Sequence, residues 1–258
     1  MDTRRTATRT RTALGVAAAV LAASTLAGCG SADLDGAPVE RKSFGLDSKT
    51  LTIEAENSDV ELVPADVRDV LVERQFDGWV FMGNGPDPTW EMRDGTLELG
   101  VSCDGFSAHC EARHVVKVPR GTAVTVLGDN GSVLATGFDT SLTLQSHNGE
   151  VTVREATGPL KLTSHNGDVV GERISSRKVS ADSSNGAVRL GFAREPDAVD
   201  SVSRNGEITI EVPGSQAYDV TASSANGDTS VDVKQDKNSP RHIQAESHNG
   251  EITVRKAN

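Results

Sequence analysis

Apolar and polar residues alternate along most of the chain after residue 45, and Asn-Gly interrupts the alternation at regular intervals. The stretch LTLQSHNGEVTVRE places Leu142, Leu144, Val151 and Val153 at every second position on either side of one such pair. A period of two is the mark of β-strands, whose successive side chains point to opposite faces. No segment after the first 28 residues has a helical period. The pattern predicts an all-β domain of strand–turn–strand units.

The Asn-Gly pairs define a series of repeats. Taking the asparagine as the centre, the spacings between units are 18, 18, 19, 20, 21 and 23 residues, and a degenerate unit without the glycine lies at Asn57. The seven regular centres are Asn130, Asn148, Asn166, Asn185, Asn205, Asn226 and Asn249. Serine stands two positions before the asparagine in every unit from Asn148 onward. Self-similarity at such a period indicates a repeat architecture, so we treat these asparagines as structural repeat residues.

Two architectures fit this pattern. Asn-Gly between alternating runs is a strong signal for a type I′ hairpin, which would produce an antiparallel β-meander. Alternatively, Asn-Gly marks the corner of a β-solenoid with about 18–23 residues per unit, in which equal positions of neighbouring coils stack. Recurrence of one residue type at one position favours the solenoid, because stacked asparagines can form a hydrogen-bonded ladder.

The first 28 residues have the layout of a secretory leader, with arginines before an apolar run at residues 13–27. The run ends in Leu26-Ala27-Gly28-Cys29, which resembles the bacterial lipobox. We expect lipidation at Cys29 and attachment through acyl chains to the extracytoplasmic face of the cell membrane, with the export route open. Residues 29–45 are polar and interrupted by Gly and Pro, which predicts a lipidated flexible tether. Residues 46–258 then form the β-strand-repeat domain, with regular repeats from about residue 115.

The net charge of the chain excludes one class of partner. Removing residues 1–28 removes four arginines and one aspartate, which changes the formal charge from −11 to −14. Such a chain lacks the basic face that nucleic-acid binding requires.

Cys103 and Cys110, with six residues between them, are expected to form a disulfide outside the cytoplasm.

Serine, histidine and an acid recur together, as in Ser146, His147 and Glu150, which raises the possibility of a hydrolytic triad. Adjacent residues of a strand point to opposite faces, so an inward Ser146 places His147 in solvent and disfavours catalysis. The acids two positions after each asparagine would form a row of carboxylates. His147, Glu150, His165 and Asp168 are weak candidates for cation binding, but each coil offers one ligand, so we expect no metal and no cofactor.

The aromatic residues are concentrated in the irregular stretch FDGWVFMGNGPDPTW. Trp79, Phe81 and Trp90 there could form a partner surface, since exposed aromatics anchor interfaces. Alternatively, they plug the end of the solenoid, a need of every repeat stack, and this interpretation is the favoured one.

Residues 48–258 resemble the bacterial β-strand-repeat family of "putative adhesins", whose function is unknown. The resemblance is carried by LTIEAENSDVELVP, DGTLELGVSC, VVKVPRGTAVTVLGDNGSVLATG and the serial S-x-N-G-acid-I/V-x-V units. It implies a right-handed β-solenoid, or a curled β-sheet of similar shape, exposed in the cell envelope. It supplies no catalytic residues.

These observations predict a non-enzymatic envelope lipoprotein that presents a β-solenoid to a cell-wall polymer or to another envelope protein. Two rival functions remain open. One is a β-helical enzyme acting on polysaccharide, which would need convergent acids in one groove. The other is an accessory protein in envelope-stress signalling.

Overall fold

The computed structural model describes residues 34–257, apart from the side chains of Asp35, Ser107 and Ala108. A 3-10 turn spans Leu34–Gly36. Nineteen strands follow within these residues: β1 Glu40–Phe44, β2 Thr50–Glu56, β3 Asp59–Ala65, β4 Val70–Arg93, β5 Thr96–Pro119, β6 Ala123–Asn130, β7 Val133–Thr136, β8 Leu142–Asn148, β9 Val151–Arg154, β10 Leu160–Ser164, β11 Val169–Ile174, β12 Lys178–Ser183, β13 Val188–Phe192, β14 Ala198–Asn205, β15 Ile208–Val212, β16 Asp219–Asn226, β17 Thr229–Asp232, β18 His242–Asn249 and β19 Ile252–Lys256.

The two strands of a repeat lie in two different sheets. Strand β8 pairs in parallel with β6 and β10, and β9 pairs in parallel with β7 and β11. The register aligns equal positions of neighbouring units, as in Asn148 opposite Asn130. Each Asn-Gly therefore turns the chain from the first sheet to the second, and the fold is a β-solenoid. The antiparallel meander is wrong, because a hairpin would pair the two strands of one unit.

The coils do not stack in chain order at either end. The C-terminal coil, β18–β19, lies between β14–β15 and β16–β17, so that Asn249 is opposite both Asn205 and Asn226. At the other end, β5 stacks outside the β2–β3 coil, whose opposite side is covered by β6–β7. The inner position at the C-terminal end is thus occupied by the last coil of the sequence, and the inner position at the other end by the first coil.

The interior is narrow, and the two sheets fill it with complementary side-chain sizes. In the first sheet, the stacked positions Leu162, Ala181 and Ser201 decrease in size from coil to coil. In the second sheet, the stacked positions increase in size in the same direction, from Gly171 to Leu190 and Ile210. A side chain at Gly171 would lie 2.3 Å from the Cδ1 atom of Ile174. The opposite trends keep the summed side-chain volume of these coils similar, as a close-packed interior requires.

The segment expected as a flexible tether, residues 29–45, is ordered in part. Strand β1 pairs antiparallel with β4, and Glu40 accepts hydrogen bonds from the buried guanidinium of Arg74. Phe44 is buried and meets Trp90 edge-on, with ring centroids 6.3 Å apart. The prediction of a tether up to residue 45 is wrong from Leu34 onward, because this short strand supplies an apolar side chain and an ion pair that close the end of the stack.

Strands β4 and β5 form a hairpin whose ends belong to the stack and whose middle does not. Thr96–Gly100 pairs with β2, and Arg113–Pro119 pairs with β3. Between these paired segments, β5 has 12 residues where the neighbouring corner has two. The extra residues leave the stack as a two-stranded ribbon made of residues 76–88 and 101–112.

The ribbon folds back on itself. A disulfide joins Cys103 to Cys110 within β5, with Cα atoms 6.5 Å apart, whereas seven residues of extended strand would separate them by about 23 Å. At the bend, Met82 and Gly85 adopt positive φ of 51° and 108°. Gly83 has no room for a side chain, since a Cβ atom would lie within van der Waals overlap of the Asp104 carbonyl. The disulfide therefore holds the ribbon in a folded-back conformation at the corner edge of the stack.

No helix among residues 34–257 is long and apolar enough to cross a membrane. Cys29 and the predicted leader, residues 1–28, lie outside the described residues.

Candidate functional site

The repeated Ser-x-Asn-Gly corners form a continuous ladder along one edge of the solenoid. Each asparagine donates a hydrogen bond from Nδ2 to Oδ1 of the asparagine in the next coil, over 2.7–3.0 Å. In stacking order the ladder contains Asn226, Asn249, Asn205, Asn185, Asn166, Asn148, Asn130 and Asn57. Asn57 ends it by donating to the carbonyl of Val101. The degenerate first unit is therefore part of the same structural element.

The serines two positions before these asparagines bind the neighbouring coil through their hydroxyls. Ser146 Oγ donates to the carbonyl of Gly131 over 3.0 Å, and Ser164 Oγ donates to that of Gly149 over 2.9 Å. The same bond recurs from Ser183, Ser203, Ser224 and Ser247. Ser146 and Ser164 are buried. These hydroxyls are hydrogen-bond donors of the scaffold.

The glycine of each corner is required by close stacking. A Cβ atom at Gly149, Gly167, Gly186, Gly206, Gly227 or Gly250 would lie 2.0–2.3 Å from the carbonyl oxygen of the adjoining glycine. Only a residue without a side chain permits this approach, since real Cβ atoms do not come so close to backbone oxygen. Asparagine, serine and glycine thus act together to hold neighbouring corners in register.

Ser58 occupies the glycine position of the first corner, and it is tolerated because the neighbouring strand β5 has no tight corner there. Its hydroxyl lies 2.6 Å from Nδ1 of His114, and both residues are buried. Burial, with the nearby Arg74 guanidinium, lowers the pKa of His114 to about 4. Nε2 of His114 and one terminal nitrogen of Arg74 have no hydrogen-bond partner among the described residues.

A serine next to a histidine is the pairing used for nucleophilic catalysis. Here Ser58 retains only 4% of its accessible surface and His114 none. The hydroxyl is therefore a buried partner of the imidazole, and the pair stabilises the first corner where it meets the base of the ribbon. Sequence reasoning missed it, because 56 residues separate the two side chains.

The histidines and acids beside the ladder point to solvent, as the strand alternation predicts. His147 and His165 stack face to face, with ring centroids 4.8 Å apart and an interplanar angle of 8°. Parallel rings direct their nitrogens in parallel and do not converge on one ion. Glu150 accepts a hydrogen bond from Thr152, and Asp168 pairs with Arg189.

Asp168 has no ion pair with His165 in the described chain. Burial opposes its ionisation, but hydrogen bonds from the Ala187 amide and from Arg189 keep the pKa of this carboxyl below its usual value. Within residues 34–257, no three metal-binding side chains approach one another closely enough to hold an ion. The four cation candidates thus split into a histidine stack and separately bonded acids.

A groove lies on the outer face of the second sheet. It lies where β11 bulges between Gly171 and Ile174, and where Gly191 of β13 has no side chain to cover the sheet. Its volume is about 770 Å³, within the range of ligand sites. Arg173, Arg189 and Arg255 line it. Each is fixed by a carboxylate, respectively Glu155, Asp168 and Glu211.

The aromatic residues divide between a cap and a surface. Trp90 packs on Phe44, and the Arg74 guanidinium lies 4.0 Å from its ring centroid, so Trp90 closes the end of the stack. Trp79 and Phe81 lie on the ribbon and are 37% and 57% exposed. The favoured cap interpretation therefore fits Trp90 and fails for the other two, because the ribbon carries them outside the stack.

Comparison with known proteins points to one family. The family model described as Toastrack DUF4097 matches residues 45–257. No curated protein matches the chain in sequence.

Several solved structures are similar to this chain over most of its length. One is a "putative cell adhesion protein" from Clostridium sporogenes, with 13% identity, coverage of 86% of this chain and 100% of that one, and a TM-score of 0.36. A "putative adhesin" from Bacteroides fragilis has 16% identity, coverage of 85% and 97%, and a TM-score of 0.47. Another from Parabacteroides distasonis has 12% identity, coverage of 85% and 98%, and a TM-score of 0.44.

Proposed function

The chain belongs to the Toastrack DUF4097 family, and on that premise we propose that it is a lipid-anchored envelope protein whose rigid β-solenoid contacts a cell-wall polymer or another envelope protein without catalysis. The observation that carries this proposal is the use of the repeated polar residues. The side chains of the corner serines and asparagines form hydrogen bonds between coils, as Ser164 and Asn166 illustrate. The side chains left for a partner are those on the outer faces.

The groove on the second sheet is the surface we assign to this contact. Each of its arginines is paired with a carboxylate on a neighbouring coil, so a partner meets a surface that carries both charges. Oppositely charged groups on one surface favour binding to a partner with a complementary charge pattern. A filled interior supports the same assignment, since a ligand must bind outside the stack.

Anchoring and partner binding are tested separately. Metabolic labelling with a fatty acid should mark the wild-type protein and should fail to mark the Cys29→Ser variant. Persistent labelling of that variant would refute lipidation at Cys29. For the partner, purified cell-wall polymer and solubilised membrane proteins are each passed over immobilised protein.

The groove assignment is tested with an Arg189→Ala, Arg255→Ala double variant. We expect it to retain several-fold less of whichever fraction the wild type captures. The matched control is Arg120→Ala, whose partner Asp66 lies away from the groove. Equal loss in both variants would contradict the groove assignment, and turnover of polymer by the wild type would contradict the non-catalytic role.

A further inference from the structure

The ribbon concentrates exposed apolar side chains. Seven large hydrophobic residues of the described chain are exposed, and four of them, Trp79, Phe81, Met82 and Phe106, belong to the ribbon. Met82 and Phe106 are 77% and 88% exposed, more than any of the others. Both lie at the bend, beside Gly83, whose close approach to the Asp104 backbone fixes the fold-back. Clustered exposure of this kind marks a contact surface, whereas scattered exposed residues do not.

The beginning of the described chain is docked against the base of the same ribbon. Leu34 is buried, and its carbonyl accepts a hydrogen bond from Nε2 of Gln75. Leu34 also lines a depression together with Cys110 and Ala112, at the point where the ribbon leaves the stack. The described chain therefore begins at the base of the ribbon.

Chain length limits how far the lipid can lie from this point. Cys29 is five residues before Leu34, so the two Cα atoms can be at most about 18 Å apart. From Ala112 to Phe106 the ribbon has six residues, or about 20 Å of extended strand. Because these two lengths are similar, a membrane that holds the lipid on Cys29 can also contact the tip of the ribbon.

We propose that the tip of the ribbon enters the interface of the membrane that holds the lipid anchor, as a second and orienting contact. This inference rests on the proposed lipidation of Cys29. Aromatic and methionine side chains suit the boundary between headgroups and acyl chains. Asp87 and Asp104 are exposed near the bend, so the tip stays at headgroup depth and favours zwitterionic over anionic lipid.

Fluorescence of Trp79 in the lipidated full-length protein tests this inference. The chain has two tryptophans, so Trp90→Phe leaves Trp79 as the sole reporter. In phosphatidylcholine vesicles with brominated acyl chains, we expect lipid to quench Trp79 severalfold more than it quenches Trp90 in the reciprocal Trp79→Phe protein. Replacing a third of the lipid by phosphatidylglycerol should reduce the quenching.

A triple variant, Phe81→Ser, Met82→Ser and Phe106→Ser, should lose the quenching of Trp79. The control is Leu127→Ser with Val202→Ser, which removes exposed apolar groups of 40% and 39% exposure from other parts of the molecule. It should leave the quenching unchanged.

The outcomes separate the two proposals. If mass spectrometry finds acyl chains on Cys29 and the protein floats with vesicles, but Trp79 is not quenched, the ribbon inference is overturned and the lipoprotein remains. If Cys29 carries no acyl chain, the proposed anchoring fails, and the ribbon inference fails with it. Equal quenching of the triple variant and the wild type also overturns the inference.

Discussion

The hydroxyl of Ser164 donates a hydrogen bond to the carbonyl oxygen of Gly149 in the neighbouring coil, across 2.9 Å. The backbones at this corner are so close that a Cβ atom on Gly167 would lie 2.3 Å from the same oxygen. One carbonyl thus explains both the serine and the glycine of the motif. The asparagine between them adds the side-chain ladder, and the histidine faces solvent.

Replacement of a corner glycine should destabilise the protein. Gly167→Ala forces backbone atoms of two coils apart, and we expect a loss of about 1–3 kcal/mol in the free energy of unfolding, the usual cost of overpacking. Gly45→Ala is the matched control, because nothing lies within 4 Å of a Cβ atom there. Denaturant unfolding of both variants measures the difference. A Gly167→Ala protein as stable as the Gly45→Ala protein would refute the close-stacking account.

Hydrogen exchange should reveal that the last coil of the sequence is not the last coil of the stack. Strand β19 is paired on both sides, with β15 and β17, whereas the pairing of β17 among the described strands is with β19 alone. Amides of Ile252–Lys256 should therefore exchange more slowly than those of Thr229–Asp232, because edge strands open first. Faster exchange in β19 than in β17 would show that the coils stack in chain order.

Stability should decline in mild acid because of His114. Its pKa is lowered from 6.5 to about 4 in the folded protein, so the unfolded chain binds the proton more tightly. The contribution is complete above about pH 6.5 and is lost as the pH falls toward 4, by up to about 3 kcal/mol. The difference in unfolding free energy between wild type and His114→Gln isolates this contribution across pH 4 to 7.5. A difference that does not change with pH would contradict the buried neutral imidazole.

The disulfide should stabilise the ribbon and leave the stack unaffected. Cys103 and Cys110 lie in the part of β5 that is outside the solenoid, so we expect both thiols to resist alkylation in the native protein. A Cys103→Ser, Cys110→Ser variant should be cut by protease between residues 76 and 112, while amides of β8 and β10 keep their protection. Free thiols in the native protein, or loss of protection in β8, would contradict this.

The repeat and its strands could be predicted from local pattern alone. Alternation around Asn148 fixes which residues point inward, and recurrence of Ser146 and Asn148 at equal positions distinguishes stacking from a hairpin. This succeeds because each coil repeats the contacts of its neighbour. The pattern of a single unit therefore predicts how the other regular units stack.

Features that depend on contacts distant in sequence could not be predicted. The insertion of Asn249 between Asn205 and Asn226 joins residues 44 and 23 positions apart, and no local signal marks it. The Ser58–His114 pair has the same origin. The position of the ribbon depends on the point where β5 leaves the corner, which no local pattern marks. The stretch around Trp79 was therefore compatible with either an end cap or a partner surface.

The central claim is that the Ser-His-Asn-Gly repeats are a building element and not a site. Its most direct test is the thermal unfolding of the Ser164→Leu, Asn166→Leu and His165→Ala variants, compared without the lipid. The first two should lose about 1–3 kcal/mol by overpacking the corner, and His165→Ala should lose at most about 0.5 kcal/mol. If His165→Ala is the most destabilised of the three, or if it alone abolishes bound zinc, the assignment of these repeats to the scaffold is contradicted.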